Sequence, residues 1–307
     1  MKISEMLNGA SKPFPSLEIV PPLNGIRKDQ LLSMVGQFME FAPRYINVTC
    51  HRDEYEYRQA PDGSFTRHLV RSRLDPVAVC AAVMAAYPVE MVPHIICAGR
   101  TEEEIYSQIY NYHFLGIENV LALRGDSLRG EKRFIPEPGG FSHANELVGA
   151  IRRFEGSIGA SFCVGVGGYP EKHFEAANLS EDLAHLKAKV DAGADYIITQ
   201  LFFDNATFYR FVDACRAIGI TVPIIPGLKP LSSRRQLELL PGSFSIDLPS
   251  DLTRIIRSAT SEEEVYELGT AWCIQQCKDL IAHGVPAVHF YTMGKPRNIV
   301  EILKACF

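Results

Sequence analysis

Several features are missing from this 307-residue chain, and each absence removes a class of function. There is no excess of positive charge: 31 Lys and Arg stand against 36 Asp and Glu, a net charge of −5, and no long basic run reverses it. A balance of that sign does not suit nucleic acid or an anionic membrane. No apolar run approaches the roughly 18–20 residues that span a bilayer; the longest, Val77 to Tyr87, reads as a buried amphipathic helix. Residues 1–15 carry no apolar core of a secretory signal, so the expected location is cytoplasmic. None of the eight cysteines forms a Cys-x-x-Cys pair and several sit in apolar runs, which reads as reduced, mostly buried thiols. No metal is expected. The histidines are spread out with neither His-x-His nor HExxH spacing, and Cys273 and Cys277, at i, i+4, have no further ligand nearby in sequence. A GxSxG elbow and a P-loop are absent too.

What is present is alternation. Eight short apolar or β-branched runs recur: Ser16–Val20, Tyr45–Thr49, Glu90–Ile96, Asn119–Gly125, Ser161–Gly168, Tyr196–Phe203, Pro223–Leu228 and Ala287–Met293. Most are continuously apolar, as expected for parallel strands covered on both faces. Between them lie stripes of helical period, such as Leu31-Val35-Phe38-Met39, Ile105-Ile109-Tyr112 and Phe208-Phe211-Val212-Cys215-Ile218. Thr101 with Glu104 and Ser261 with Glu264 have capping-box spacing. Four helical stretches end in a glycine, at Gly116, Gly193, Gly219 and Gly284, with a strand expected two or three residues later. That is the left-handed stop that turns a helix back toward a sheet. The strand-to-helix connections at the other end, notably Cys50–Asp75 and Asp126–Phe141, are longer and more polar. The expected fold is α/β, a single (β/α)8 TIM-type barrel spanning residues 1–307. An open dinucleotide-binding sheet is the competing fold. Its fingerprint fails at Gly165-Val166-Gly167-Gly168-Tyr169-Pro170, where Pro replaces the last glycine.

In such barrels the chemistry gathers where strands end. The polar residues there are Glu18, Thr49, His94, Arg124, Asp126, Tyr169, Gln200, Asp204, Thr292 and Lys295. Glu18 lies inside Leu17-Glu18-Ile19-Val20, where an unpaired carboxylate is costly. Two readings stay open: a general acid whose protonated form is favoured by burial, or a structural ion pair with an arginine. Asp126 is either a residue that orients substrate or faces its developing charge, or a helix N-cap or loop-turn residue. His94 alone reads as a satisfied core histidine.

Taken in order, these stretches resemble the catalytic barrel of the methylenetetrahydrofolate reductase family, bacterial type. The motifs are Leu17-Glu18-Ile19-Val20-Pro21-Pro22, Asn47-Val48-Thr49, Pro93-His94, Ala122-Leu123-Arg124-Gly125-Asp126, Gly168-Tyr169-Pro170-Glu171, Thr199-Gln200-Leu201-Phe202-Phe203-Asp204, Ile225-Pro226-Gly227-Leu228 and His289-Phe290-Tyr291-Thr292. They run from residue 16 to about 297, nearly the whole chain.

The resemblance implies FAD at the C-terminal mouth of the barrel and reduction of 5,10-methylenetetrahydrofolate to 5-methyltetrahydrofolate. NADH or NADPH would be the hydride donor, in ping-pong order. It implies Glu18 as the acid that protonates folate N10, and Asp126 as the second catalytic carboxylate, holding folate and facing the cation that opens. Gln200, Gln236 and Lys295 would join Asp126 in binding substrate. Thr49, His94, Arg124, Gly125, Asp126, Ala144, Tyr169, His173, Asp182 and Lys189 match positions that hold FAD. Relatives form homo-oligomers, so the same is expected here. The chain departs from the family at Thr292-Met293-Gly294-Lys295, where Asn-Arg is common, at Leu240, where some members have Phe, and at Cys50-His51. It ends at Phe307, so control by a further regulatory domain is not expected. Another flavin- or pterin-binding barrel, or a non-catalytic barrel subunit of a larger complex, are the other functional readings.

Overall fold

The apolar runs become the staves of a closed parallel barrel. A computed structural model describes residues 1–127, 133–294 and 296–307. In chain order its strands are β1 (Phe14–Ile19), β2 (Tyr45–Val48), β3 (Glu54–Gln59), β4 (Phe65–Val70), β5 (Glu90–Ile96), β6 (Asn119–Leu123), β7 (Cys163–Gly168), β8 (Tyr196–Leu201), β9 (Ile224–Leu228) and β10 (Ala287–Tyr291). The barrel closes in the order β1-β10-β9-β8-β7-β6-β5-β2, with every pairing parallel. The chain is therefore an α/β (β/α)8 TIM-type barrel, as its alternation predicts. Several strands stop short of their apolar run. β6 ends at Leu123 and β8 at Leu201, and the polar residues that follow lie at the mouth.

The helices are α1 (Ile3–Asn8), α2 (Lys28–Met39), α3 (Pro76–Met84), α4 (Glu102–Phe114), α5 (Ala144–Ile158), α6 (Leu179–Asp191), α7 (Asn205–Ala217), α8 (Gln236–Phe244), α9 (Ser250–Ser258), α10 (Glu262–Ala282) and α11 (Pro296–Cys306). The apolar stripes of α2, α4 and α7 bury Leu31, Val35 and Phe38, then Ile105, Ile109 and Tyr112, then Phe208, Phe211 and Cys215. Thr101 and Glu104 cap α4 reciprocally. At α10, Ser261 caps the Glu264 amide, while the Glu264 carboxylate reaches one residue further back, to Thr260. Gly116, Gly193, Gly219 and Gly284 all take positive φ, from 75° to 115°, as the helix-to-strand turns require.

Two features differ from the sequence reading. The Cys50–Asp75 connection is not a plain loop: β3 and β4 pair in an antiparallel hairpin, a two-stranded sheet separate from that of the barrel. Its turn at Pro61-Asp62-Gly63 is closed by the Ser64 amide on the Asp62 carboxylate and the Gly63 amide on Ala60. The short α1 was also not foreseen. Its Ile3, Met6 and Leu7 fill the N-terminal end of the barrel against Tyr45, Leu121 and Tyr196. The glycine-rich stretch 165–168 is strand β7, where Gly165 yields space to the Tyr196 ring and Gly168 to Ile197 and Phe211.

The eight cysteines are free thiols, six of them buried. Among the described residues no helix is long and apolar enough to cross a membrane, and no three His, Cys, Asp or Glu side chains converge as a metal site.

Candidate active site

The register of β1 sets the site. Ser16 lies opposite His289 and Glu18 opposite Tyr291 on β10, while Glu18 faces Asn47 across β2. Side chains two apart share a face, so Ser16 and Glu18 point the same way, as do His289 and Tyr291. The Glu18 carbonyl accepts from the Thr292 hydroxyl at 2.7 Å and from its amide at 3.3 Å, which fixes the strand end. The Glu18 side chain is 12% exposed. Its Oε2 lies 3.6 Å from His94 Nε2 and 4.0 Å from His289 Nε2. Among the described residues these histidines are its ion-pair neighbours, and the arginine pair left open by the sequence does not form. Burial is the main force pushing the His94 pKa down, to about 4, with His289 and His51 acting the same way against the pull of Glu18. His94 is thus neutral near pH 7, and Glu18 has no permanent cation beside it. His289 is fully buried, its Nδ1 3.0 Å from the Ser16 hydroxyl and its Nε2 without a hydrogen-bond partner among the described residues.

Asp126 is exposed on the loop after β6. It caps no helix, since α5 is preceded by His143. His51 connects it electrostatically to Glu18: partial burial, then Arg73, lower the His51 pKa, while both carboxylates raise it. Gly125 makes the bend between Arg124 and Asp126 at φ 83°, where a Cβ would come within 2.8 Å of Ala98 Cβ.

A polar cluster continues around the mouth over β6, β7 and α6. Arg124 pairs with Glu175 and stacks on Phe134. The Tyr169 ring packs edge-on against His173, 4.7 Å between centroids. The His173 amide donates to the Asp182 carboxylate at 3.2 Å. Lys189 donates to the Gly167 carbonyl at 2.6 Å and lies 5.8 Å from the Tyr169 ring centre. Burial moves three of these pKa values: Lys189 down to about 8, His173 down to about 4 with help from Arg124, and Asp182 upward. Thr49 follows β2 with its amide on the Ile19 carbonyl, and its buried hydroxyl has no hydrogen-bond partner among the described residues. Ala144 is the first residue of α5.

The remaining candidates sit further round. Gln200 occupies a bulge where the β8–β9 register shifts between Ile198 and Leu201, and its side-chain Oε1 accepts from the Leu201 amide at 2.9 Å. Gln236 opens α8, its side-chain Oε1 accepting from the Ser232 amide at 2.7 Å; among the described residues no hydrogen bond ties it directly to Glu18 or Asp126. Leu240 is buried in a separate apolar cluster with Leu201, Phe203 and Leu231. Asp204, collected as a strand-end residue, is the N-cap of α7. Lys295 lies outside the described residues. A cleft of about 550 Å³ runs from Glu171 and Lys172 to Asp204, Arg210 and Asp247. There Glu171 accepts from the Asp247 amide at 3.0 Å, and burial pushes its pKa up to about 7.

A family model for methylenetetrahydrofolate reductase matches residues 2–306. The chain belongs to the methylenetetrahydrofolate reductase family. It is similar to methylenetetrahydrofolate reductase (NADH) 1 of Arabidopsis thaliana, 33% identical over 301 residues, covering 94% of this chain and 47% of that protein. It is also similar to 5,10-methylenetetrahydrofolate reductase of Salmonella typhimurium, 30% identical over 281 residues, covering 91% of this chain and 86% of that protein. The chain spans about half the length of the plant relatives it matches. Among solved structures, a protein from Clostridium thermocellum described as binding two copies of 5-methyl-5,6,7,8-tetrahydrofolic acid superposes with a TM-score of 0.63 at 12% identity, covering 100% of this chain and 98% of that one. That likeness is one of fold.

Within this barrel, three neighbours of the site were not among the residues picked out from the sequence, Ser16, His51 and His289, and the hydrogen bonds of Thr292 to the Glu18 carbonyl were not foreseen. Ser16 and His289 each carried a signal. Both are polar residues in largely apolar runs, Ser16 two positions before Glu18 and His289 three before Thr292.

Proposed function

We propose that this barrel reduces 5,10-methylenetetrahydrofolate to 5-methyltetrahydrofolate, with FAD as carrier and NADH or NADPH as donor. The observation that carries this reading is the Glu18 carboxylate, held at the strand ends against two buried histidines and paired with no arginine among the described residues. The residues present fit FAD. The Thr49 hydroxyl is buried and lacks a partner among the described residues, Lys189 and Arg124 offer two cations, and Tyr169, His173 and Asp182 form a ready cluster beside them. These residues, with His94, Gly125, Asp126 and Ala144, would hold it. When bound, FAD supplies a two-electron carrier between the nicotinamide and the folate.

The protein's own groups account for the rest. Glu18, as the acid, gives a proton to folate N10, which opens the bridging ring and leaves a cation centred on N5. His94, kept neutral by burial, sets no permanent positive charge against the carboxyl. Asp126 stabilises the cation through space, the kind of preorganised charge that lowers such barriers most. Gln200, re-aimed by the bulge, offers an amide to the pterin; Gln236 and Lys295 are assigned to the rest of the folate. We place residues 1–307 in one catalytic domain, working in the cytoplasm as a homo-oligomer. The free, mostly buried thiols support that compartment.

The test is anaerobic. The purified chain is loaded with FAD, reduced with NADH or NADPH, then mixed with methylenetetrahydrofolate while absorbance near the flavin band is followed. Reoxidation with formation of methyltetrahydrofolate is expected. A chain that cannot be loaded with FAD, or whose reduced form ignores the folate, overturns the proposal.

A further inference from the structure

The hairpin of β3 and β4 does not end in solvent. Its return limb is fastened to the loop that follows Glu18. Asn24 donates from its amide to the Ser72 carbonyl at 2.9 Å, Leu74 from its amide to the Pro22 carbonyl at 3.1 Å, and Leu23 pairs with Arg73 as an antiparallel bridge. The Arg73 guanidinium adds a bond to the Pro21 carbonyl at 2.8 Å. These contacts close a small pocket of about 70 Å³ between the hairpin base, the end of β2 and the loop after β5. That volume holds a few waters or one compact ionic group and excludes a nucleobase or pterin ring.

The lining is strongly cationic. Arg52, Arg71, Arg73 and Arg100 face it, with His51 at its edge, against the carboxylates of Asp53 and Asp75. Part of that charge is already balanced. Arg71 pairs with Asp53 at 2.9 Å, Arg52 with Glu137 at 2.9 Å, and Asp75 is committed to capping α3. What is left over is directional. Arg52 Nη1 is buried and has no acceptor among the described residues. An unmet N–H on a buried cation is among the costlier omissions in a folded protein. Its position is imposed by packing: Gly99, at φ 68°, has no Cβ, and a Cβ there would stand 2.7 Å from Arg52 Cγ and 2.9 Å from Nε. The pocket also adjoins the reacting end of the barrel, because His51 lines it and feels both Glu18 and Asp126.

We propose that this pocket is an oxyanion-binding subsite at the edge of the active site, taking one phosphoryl or carboxylate group of a substrate bound at the barrel mouth. Arg52 and Arg100 are its ligands and Arg73 its anchor. Planar guanidinium forks suit an oxyanion better than lysines do. The inference rests on the reductase reading for its two sources: a phosphate of the nicotinamide nucleotide, or a glutamyl carboxylate of the folate tail.

The test separates the pocket from the reaction. Inorganic phosphate is titrated calorimetrically into the FAD-loaded chain, and into Arg52→Gln and Arg100→Gln, each first checked for unchanged Tm and FAD content. Phosphate binding that weakens about 10- to 100-fold in both variants is expected, the size of one lost charge-assisted bond. Equal binding in all three proteins, or none in any, overturns the subsite even if the enzyme turns over folate. Phosphate binding lost in the variants of a chain that never reduces folate sustains the pocket and overturns the reductase reading. In an active chain, KM is compared for NADPH against NADH, and for triglutamyl against monoglutamyl folate. A rise confined to NADPH assigns the nucleotide phosphate; one confined to the triglutamyl folate assigns the tail carboxylate. KM values untouched for all four overturn the role in substrate binding.

Discussion

The Ser16 hydroxyl lies 3.0 Å from Nδ1 of His289, and the opposite ring nitrogen faces the Glu18 carboxylate at 4.0 Å. The three side chains form a buried row along the β1–β10 seam, set by the register that places Ser16 against His289. In the proposed reaction this row fixes the tautomer that Glu18 meets. Replacing His289 by Asn, or Ser16 by Ala, is expected to slow the folate half-reaction about 10-fold and to shift its pH profile, while nicotinamide oxidation changes little. Single-turnover rates across pH 6–9 check this. A uniform loss in both half-reactions would make the row purely structural.

Glu18→Gln removes the proton but keeps the shape. General acids of this kind contribute roughly 10²- to 10⁴-fold. Reduction by NADH or NADPH is therefore expected to continue while reoxidation by methylenetetrahydrofolate falls by that factor. Asp126→Asn is expected to weaken the folate half-reaction more than the nicotinamide half, since it loses only a through-space charge. Stopped-flow measurement of each half-reaction distinguishes the two variants.

His94 gives a pH dependence of stability whose sign can be worked out. Burial lowers its folded pKa from 6.5 to about 4. The unfolded chain therefore binds the proton first as pH falls. The stability linked to His94 is fully present above pH 6.5 and is lost as the pH drops toward 4. One such group gives a slope of up to about 1.4 kcal/mol per pH unit in that window. His94→Gln, which can still meet the Asn47 amide, is expected to flatten the fall in Tm between pH 6.5 and 4. An unchanged slope would mean that other groups dominate acid unfolding.

The barrel was legible because eight apolar runs alternate with helical stretches along the chain, and because glycine marks Gly116, Gly193, Gly219 and Gly284 as turns by chemistry alone. Glu18 was legible because a carboxylate inside an apolar run has no cheap structural explanation. The hairpin was not. Every β3 residue is exposed, so no apolar face marks it; only its alternating Tyr55 and Tyr57 and the Asp62-Gly63 turn signal it. His289 was hidden for the opposite reason, since a lone buried histidine reads as core until the register shows Ser16 and Glu18 beside it. The α1 plug depends on six residues too few to carry a periodic pattern.

Gly165 tests the reading of the glycine-rich stretch as strand rather than phosphate loop. A Cβ there would lie 2.6 Å from Cε2 of the Tyr196 ring, a buried group with no room to retreat. Gly165→Ala is expected to destabilise the protein by about 1–3 kcal/mol through overpacking. FAD affinity should stay unchanged in the fraction that remains folded. Urea unfolding and flavin titration measure the two separately, and a lost affinity at unchanged stability would put the glycine in the cofactor site.

Lys189 is where binding and stability should pull in opposite directions. Burial lowers its pKa from 10.5 to about 8, so the folded apoprotein carries its charge at a cost below that pH. The sign follows: stability linked to this group is full above pH 10.5 and is lost as pH falls through 8. Lys189→Met therefore removes a penalty at pH 7, and the apoprotein Tm should be no lower than that of the wild type, despite loss of the bond to the Gly167 carbonyl. The same variant removes a cation assigned to FAD, and its affinity at pH 7 should drop about 10- to 100-fold, the worth of one charge-assisted bond. Wild-type affinity should itself decline as pH rises past 8, later than the free group titrates, because a bound phosphate holds the proton on. Fluorescence titration of apoprotein with FAD from pH 6 to 10 reads both effects. Affinity that is flat across that range and equal in the variant would remove Lys189 from the cofactor site.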